Sequence, residues 1–142
     1  MSPSMNWRMV SASLLAGFTF LIHFIWGGRD VADPLLGSTL AGEPKQTLYA
    51  VWHMVSWVLL ASAIALFVAS LPKHQRAYRP VVVFISILWL LFAITFLAIA
   101  MIQPGSGWFL RLPQWILLAP VGALGLWGAM KPFVPAKSEA RA

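Results

Sequence analysis

Residues 21–30, LIHFIWGGRD, and 50–57, AVWHMVSW, decide how this chain is read. Each sets a histidine inside an apolar run close to that run's polar end: His23 precedes Gly27 by four residues, and His53 follows Thr47 by six. Reading outward from them, the chain resolves into apolar, nearly charge-free runs that predict helices near residues 9–27, 47–71, 81–102 and 112–130. Runs of this kind approach the ~20 residues that cross a bilayer.

Composition sets the class. With 60% hydrophobic and only 10% charged residues, and a mean hydropathy of +0.79, the chain is solvated by lipid. The pI near 10.6 does not point to nucleic acid, because no cluster of Lys or Arg lies along a water-facing helix. The basic excess is topogenic. The absence of cysteine excludes thiol relays, zinc-thiolate sites and iron–sulfur clusters. A signal peptide is the competing reading of the first run, which nevertheless lacks a small-x-small cleavage site at its end. The expected fold is all-α, a single four-transmembrane-helix bundle over 142 residues.

Punctuation between the runs is strong. Gly27-Gly28 is expected to end the first helix. Asp33-Pro34 then reads as an N-cap with proline at the first helical position, opening a short interfacial helix with Leu35, Leu36 and Leu40 on one face and its end near Gly42; a solvated loop is the alternative. Thr47 is a plausible N-cap of the second long helix. His53, Ser56, Trp57 and Leu60 share one of its faces at helical spacing. Pro80 suits the start of the third, residues 103–107 form a turn, and Pro120 is expected to kink the last. Small residues mark the packing faces: Ala12, Ala16 and Gly17 on the first helix, and Gly122, Gly125 and Ala129 on the last. His74 is a loop residue, and residues 131–142 are a short polar tail.

Arg8, Lys73, Arg76, Arg79, Lys131, Lys137 and Arg141 flank one side of the bundle, against Arg29, Lys45 and Arg111 on the other. The positive-inside rule therefore puts both termini in the cytoplasm. His23 and His53 then lie at one depth, roughly 6 to 9 Å below the outer end at ~1.5 Å per residue. Arg29, Asp30, Gln103, Arg111 and Gln114 gather at the same outer mouth. Ionisable groups inside membrane helices are functional candidates, so these seven residues form the candidate ligand-binding set. His23 and His53 are expected to turn inward toward each other and are the candidate metal or haem ligands; the competing reading is two histidines that serve packing.

The string HFIWGGRDVADPLL, followed by LYAVWH, resembles a family of small bacterial four-helix integral membrane proteins of uncharacterised function. The resemblance covers mainly the first half of the chain. It implies a multi-pass protein of the bacterial plasma (inner) membrane and brings no catalytic residue with it. Small multidrug exporters use a membrane-embedded glutamate, quinone-linked disulfide enzymes use cysteines, and di-iron bundles use several carboxylates. This chain has none of these within its runs. Two readings remain foremost: a non-catalytic bundle that assembles with another membrane protein or with itself, and a bundle that binds haem, another tetrapyrrole or a metal ion. A small transporter is third, since only histidine could carry protons and no broken pair of helices is evident.

Overall fold

The computed structural model describes residues 4–130. The polar tail read over residues 131–142, with Lys131, Lys137 and Arg141 of the charge count, lies outside the described residues. The described chain is helical, in the order α1 (Trp7–Gly27), a π-helical turn (Gly28–Ala32), α2 (Asp33–Gly37), α3 (Gly42–Ser70), α4 (Arg79–Ile102), α5 (Trp108–Arg111) and α6 (Trp115–Ala129). Three helical spans, Trp7–Gly37, Gly42–Ser70 and Arg79–Ile102, are long and apolar enough to cross a membrane. The fourth, α6, is apolar but shorter.

Helix ends depart from the sequence reading wherever polar residues continue a helix. Gly27 and Gly28 both hold ordinary right-handed angles, φ −60° and −56°, so the glycine pair does not end α1. The helix instead widens by one turn, in which the Asp33 N–H bonds to the Gly28 carbonyl five residues back, and runs on into α2. Pro34 supplies the reason. It has no amide proton to give and its ring crowds the carbonyl four residues earlier, and a widened turn relieves that crowding. Asp33 is accordingly no N-cap: it sits inside continuous helix without a side-chain cap bond. No separate lid folds back from Gly28, and α2 ends at Gly37, short of Gly42. Lys45 closes the connection by donating to the carbonyls of Leu36 and Ser38 at 3.2 and 2.7 Å.

The second long helix likewise begins at Gly42 and not at Thr47, whose hydroxyl donates to the Glu43 carbonyl within the helix. Glu43 in its first turn suits the positive end of the helix dipole. The last helix starts late, at Trp115, because Leu112 precedes a proline and is held at φ −117°, ψ 68°, outside the helical region.

Two antiparallel pairs make the bundle. α1 packs along α3, α4 packs along α6, and α6 against α1 joins the pairs, whereas the consecutive helices α3 and α4 touch only lightly. In the first pair, Ala12, Ser13 and Ala16 are buried against the face of Leu59, Ala63 and Leu66, and Ser13 donates to the Ala63 carbonyl at 2.9 Å. In α6 the glycines make the contact. A Cβ on Gly122 would stand 2.7 Å from both Leu90 Cγ and the Ser86 carbonyl oxygen, one on Gly125 would collide with the Ser86 hydroxyl, and one on Gly128 would lie 2.8 Å from Met9 Cγ. Ala129 is buried beside them. Gly17 is the exception among the expected packing residues. A Cβ there would meet nothing within 4 Å, because Ala12, Ser13 and Ala16 already occupy the face of α1 that turns inward.

Asn6 is the clasp at the end where α1 begins. It is 2% exposed; its backbone N–H donates to the Ser70 carbonyl and its side-chain amide to the Gly128 carbonyl, each at 3.0 Å. These are carbonyls at the C-terminal ends of α3 and α6, where a helix has no partners of its own to offer. Gln75 adds bonds to the carbonyls of Ser4 and Ser70. Replacing Gly125 with Leu is expected to destabilise the bundle by ~1 to 3 kcal/mol or more through overpacking. Gly17→Leu should change stability by no more than ~0.5 kcal/mol. Thermal unfolding of both variants in mild detergent checks this, and equal losses would contradict the assignment of the packing face.

Candidate functional site

The end at which α1 begins, with Asn6, Ser70 and Gly128, is here the clasped end; the opposite end, with the π turn, α2 and α5, is the open end. On the first helix pair, fully buried residues concentrate toward the clasp: on α1 none follows Thr19 and on α3 none precedes Ser56. On the second pair burial extends further, to Ala100 on α4 and from Leu118 on α6. Trp89, wholly buried on α4, is the largest side chain of this core. His23 and His53 both lie on the open side of it and are only half-buried.

His23 is held by α3. Its Nε2 stands 3.0 Å from the Ser56 hydroxyl and 3.4 Å from the Trp52 carbonyl, and its ring stacks on the Trp52 indole at 4.9 Å between centroids and 23° between planes. Ser56 in turn donates to the Trp52 carbonyl at 3.0 Å. Spacing explains the cluster: Trp52 and Ser56 are one helical turn apart on α3 and present one face to His23.

His53 takes a different place. Its ring meets Tyr49 edge-on at 4.6 Å and Trp52 edge-on at 4.9 Å, and among the described residues neither ring nitrogen makes a hydrogen bond. The two imidazoles share Trp52 and not a bond with each other. Thr19, one helical turn before His23, bonds to the Leu15 carbonyl of its own helix and not to either imidazole. The expected face of α3 also divides, since Ser56 is buried while Trp57 is 70% exposed.

The remaining candidates do not join this cluster. Arg29 and Asp30 are exposed on the π turn. Arg111 is exposed and lies over the Trp108 ring at 5.2 Å. Gln103 lines a shallow depression with Ser106, Trp108 and Phe109 at the turn after α4, on the other helix pair. Gln114 is half-buried with its Oε1 covered and unpartnered. Among the described residues no group of three or more His, Asp or Glu side chains is placed to hold a metal ion.

Trp52 is the site residue that sequence reasoning missed: helical spacing sets it on one face of α3 with Ser56, but the histidine it stacks on comes from α1. Its Nε1 is buried without a partner, as are Trp89 Nε1 and Asn6 Oδ1. No family model matches the chain, and no curated protein or solved structure matches it significantly.

The His23–Ser56 bond is expected to contribute a coupling free energy of ~0.6 to 1.7 kcal/mol, the range for hydrogen bonds between membrane helices. A double-mutant cycle of His23→Phe and Ser56→Ala on thermal stability measures it. Additive single effects would show that the two side chains act independently.

Proposed function

We propose that this chain is a non-catalytic, four-span bundle of the bacterial plasma membrane that assembles with another membrane protein or with a second copy of itself, its termini in the cytoplasm. The observation that carries the reading is the one-sided core. On α1 and α3 buried residues crowd the clasped end, while toward the open end these two helices keep their inward faces half-covered. Lipid tails are as apolar as leucine, so helices associate through close packing and interhelical hydrogen bonds, and a half-packed set of helices is one that accepts more helix. Small faces, short connections and the lack of an acid–base pair within the helices support the same reading. The bilayer orientation rests on the basic residues Arg8, Lys73, Arg76 and Arg79 at the clasped end. At 15 residues, α6 is short for a span, and α5 with its proline turn extends the chain toward that length.

Haem, tetrapyrrole or metal binding through His23 and His53 is the second reading. One observation favours it: among the described residues, neither nitrogen of His53 makes a hydrogen bond. Against joint ligation stand the engagement of His23 Nε2 by Ser56 and the Trp52 indole in contact with both imidazoles.

The chain has no cysteine, so single-cysteine variants need no altered background. Cysteine placed at Leu21 or Ile25, toward the open end, is expected to cross-link in membranes to a partner or a second copy, whereas cysteine at Leu14, also exposed but nearer the clasp, is not. A uniform absence of cross-links, together with a monomeric mass in mild detergent and a Soret band in the absorption spectrum, would replace the assembly reading with the haem reading. A reporter fused after Ala142 is expected to be cytoplasmic; a periplasmic signal would reverse the orientation.

A further inference from the structure

The clasped end carries positive charge that no carboxylate of the described residues balances. Lys73, in the turn between α3 and α4, and Arg79, the first residue of α4, are exposed, and neither side chain makes a hydrogen bond or ion pair among the described residues. Asp30, Asp33 and Glu43, the carboxylates of the described residues, all lie at the open end. Gln75 ties the basic turn to the Ser4 carbonyl just before α1, so these cations stand on a fixed scaffold. A third cation is specified more closely. The Arg8 guanidinium lies over the Trp127 ring at 4.1 Å and gives an N–H to the Trp127 carbonyl at 3.4 Å, at the surface of the bundle. A guanidinium carries five N–H donors, so the indole holds this one in place while most of its donors stay unused.

The surface around Arg8 is that of a lipid-facing helix. Trp7 and Trp127 are 68% and 53% exposed, and Leu14 and Phe18, also exposed, continue the face of Trp7 along α1 at helical spacing. Indole rings sit at headgroup depth, and basic side chains at that depth attract anionic lipid. A phosphodiester takes two parallel N–H groups of an arginine, and the acyl chains attached to it cover the apolar face below. An acidic protein segment would match the cations and leave that face bare. We propose that the Arg8–Trp127 pair binds the phosphate of an anionic phospholipid, with Lys73 and Arg79 disfavouring headgroups that carry a cation of their own. The inference rests on the bundle lying in a bilayer and not on its assembling with a partner.

The test is native mass spectrometry of the full-length protein released from nanodiscs of equimolar dioleoylphosphatidylglycerol and dioleoylphosphatidylcholine. Phosphatidylglycerol is expected to stay bound at least about tenfold more often than phosphatidylcholine. Arg8→Gln should cut that preference about five- to tenfold. Arg8→Lys keeps a cation at the clasp but cannot fork onto a phosphate, and should cut the preference at least about threefold. It decides the matter even where Arg8→Gln fails to fold, which thermal unfolding in phosphatidylcholine alone reveals. Excess inorganic phosphate should leave the bound lipid in place. Equal retention of the two lipids, an Arg8→Lys preference equal to that of the unaltered chain, or displacement by inorganic phosphate would each overturn the inference while the bundle remained a membrane protein. A chain that does not enter nanodiscs would overturn the bilayer placement and the lipid site with it.

Discussion

Everything in this bundle depends on how closely the backbone of α6 lies against its neighbours. Gly122 and Gly125 meet Ser86 and Leu90 of α4, and Gly128 meets Met9 of α1, at separations that leave no room for a Cβ. Two antiparallel helix pairs thereby become one body, because α6 is the element common to both contacts. Such close contact supplies van der Waals attraction between the helices. Ser86 shows how economical the contact is: its hydroxyl turns back to the Val82 carbonyl of its own helix and leaves a smooth surface for the glycines. Asn6 then completes the closed end by bonding to carbonyls at the C-terminal ends of α3 and α6.

Closure at one end defines what happens at the other. The core runs from Asn6 through Leu66 and Val121 to Trp89, and beyond that layer the facing residues of α1 and α3 are only partly covered, while α4 and α6 stay buried at Ala93, Ala100 and Leu118. His23, Ser56 and Trp52 occupy the transition. Their bonds bind α1 to α3 at a level where side-chain packing has begun to thin, so a polar link there takes over part of the work that apolar contact does nearer the clasp. The same position leaves polar atoms near the surface of an apolar layer, where an unmade hydrogen bond is costly and a matching group is held strongly. Trp52 is central because it stacks on one histidine, meets the other edge-on and lends its carbonyl to the serine between.

The first connection illustrates a conflict between local signals. Gly27-Gly28 permits a helix to end, yet glycine permits helical angles equally well, and nothing in the pair demands a left-handed turn. Pro34 stands inside the continuing helix, and the turn before it is widened. The helix that results carries Arg29 and Asp30 outward on an extension of α1 and not over the histidines, which is why the expected lid is absent. Lys45, from the opening turn of α3, seals the gap by capping the carbonyls that α2 leaves free.

Sequence alone determined that the chain is helical, that three of its helices have membrane-spanning length and composition, and that a small-residue face runs along α6. Those properties follow from hydropathy and composition, which are local. It also placed His23 and His53 at matching positions in adjacent antiparallel helices, because helical rise converts residue number into depth. Which way each imidazole points was settled only by tertiary structure, since rotation of a helix about its axis depends on the neighbour it packs against. Gly17 faces outward for that reason, although its composition is that of a packing residue. Asn6 and Trp52 were illegible for a related one: a clasp and a shared aromatic wall are made by residues from separate helices, and no pattern within either helix encodes the meeting.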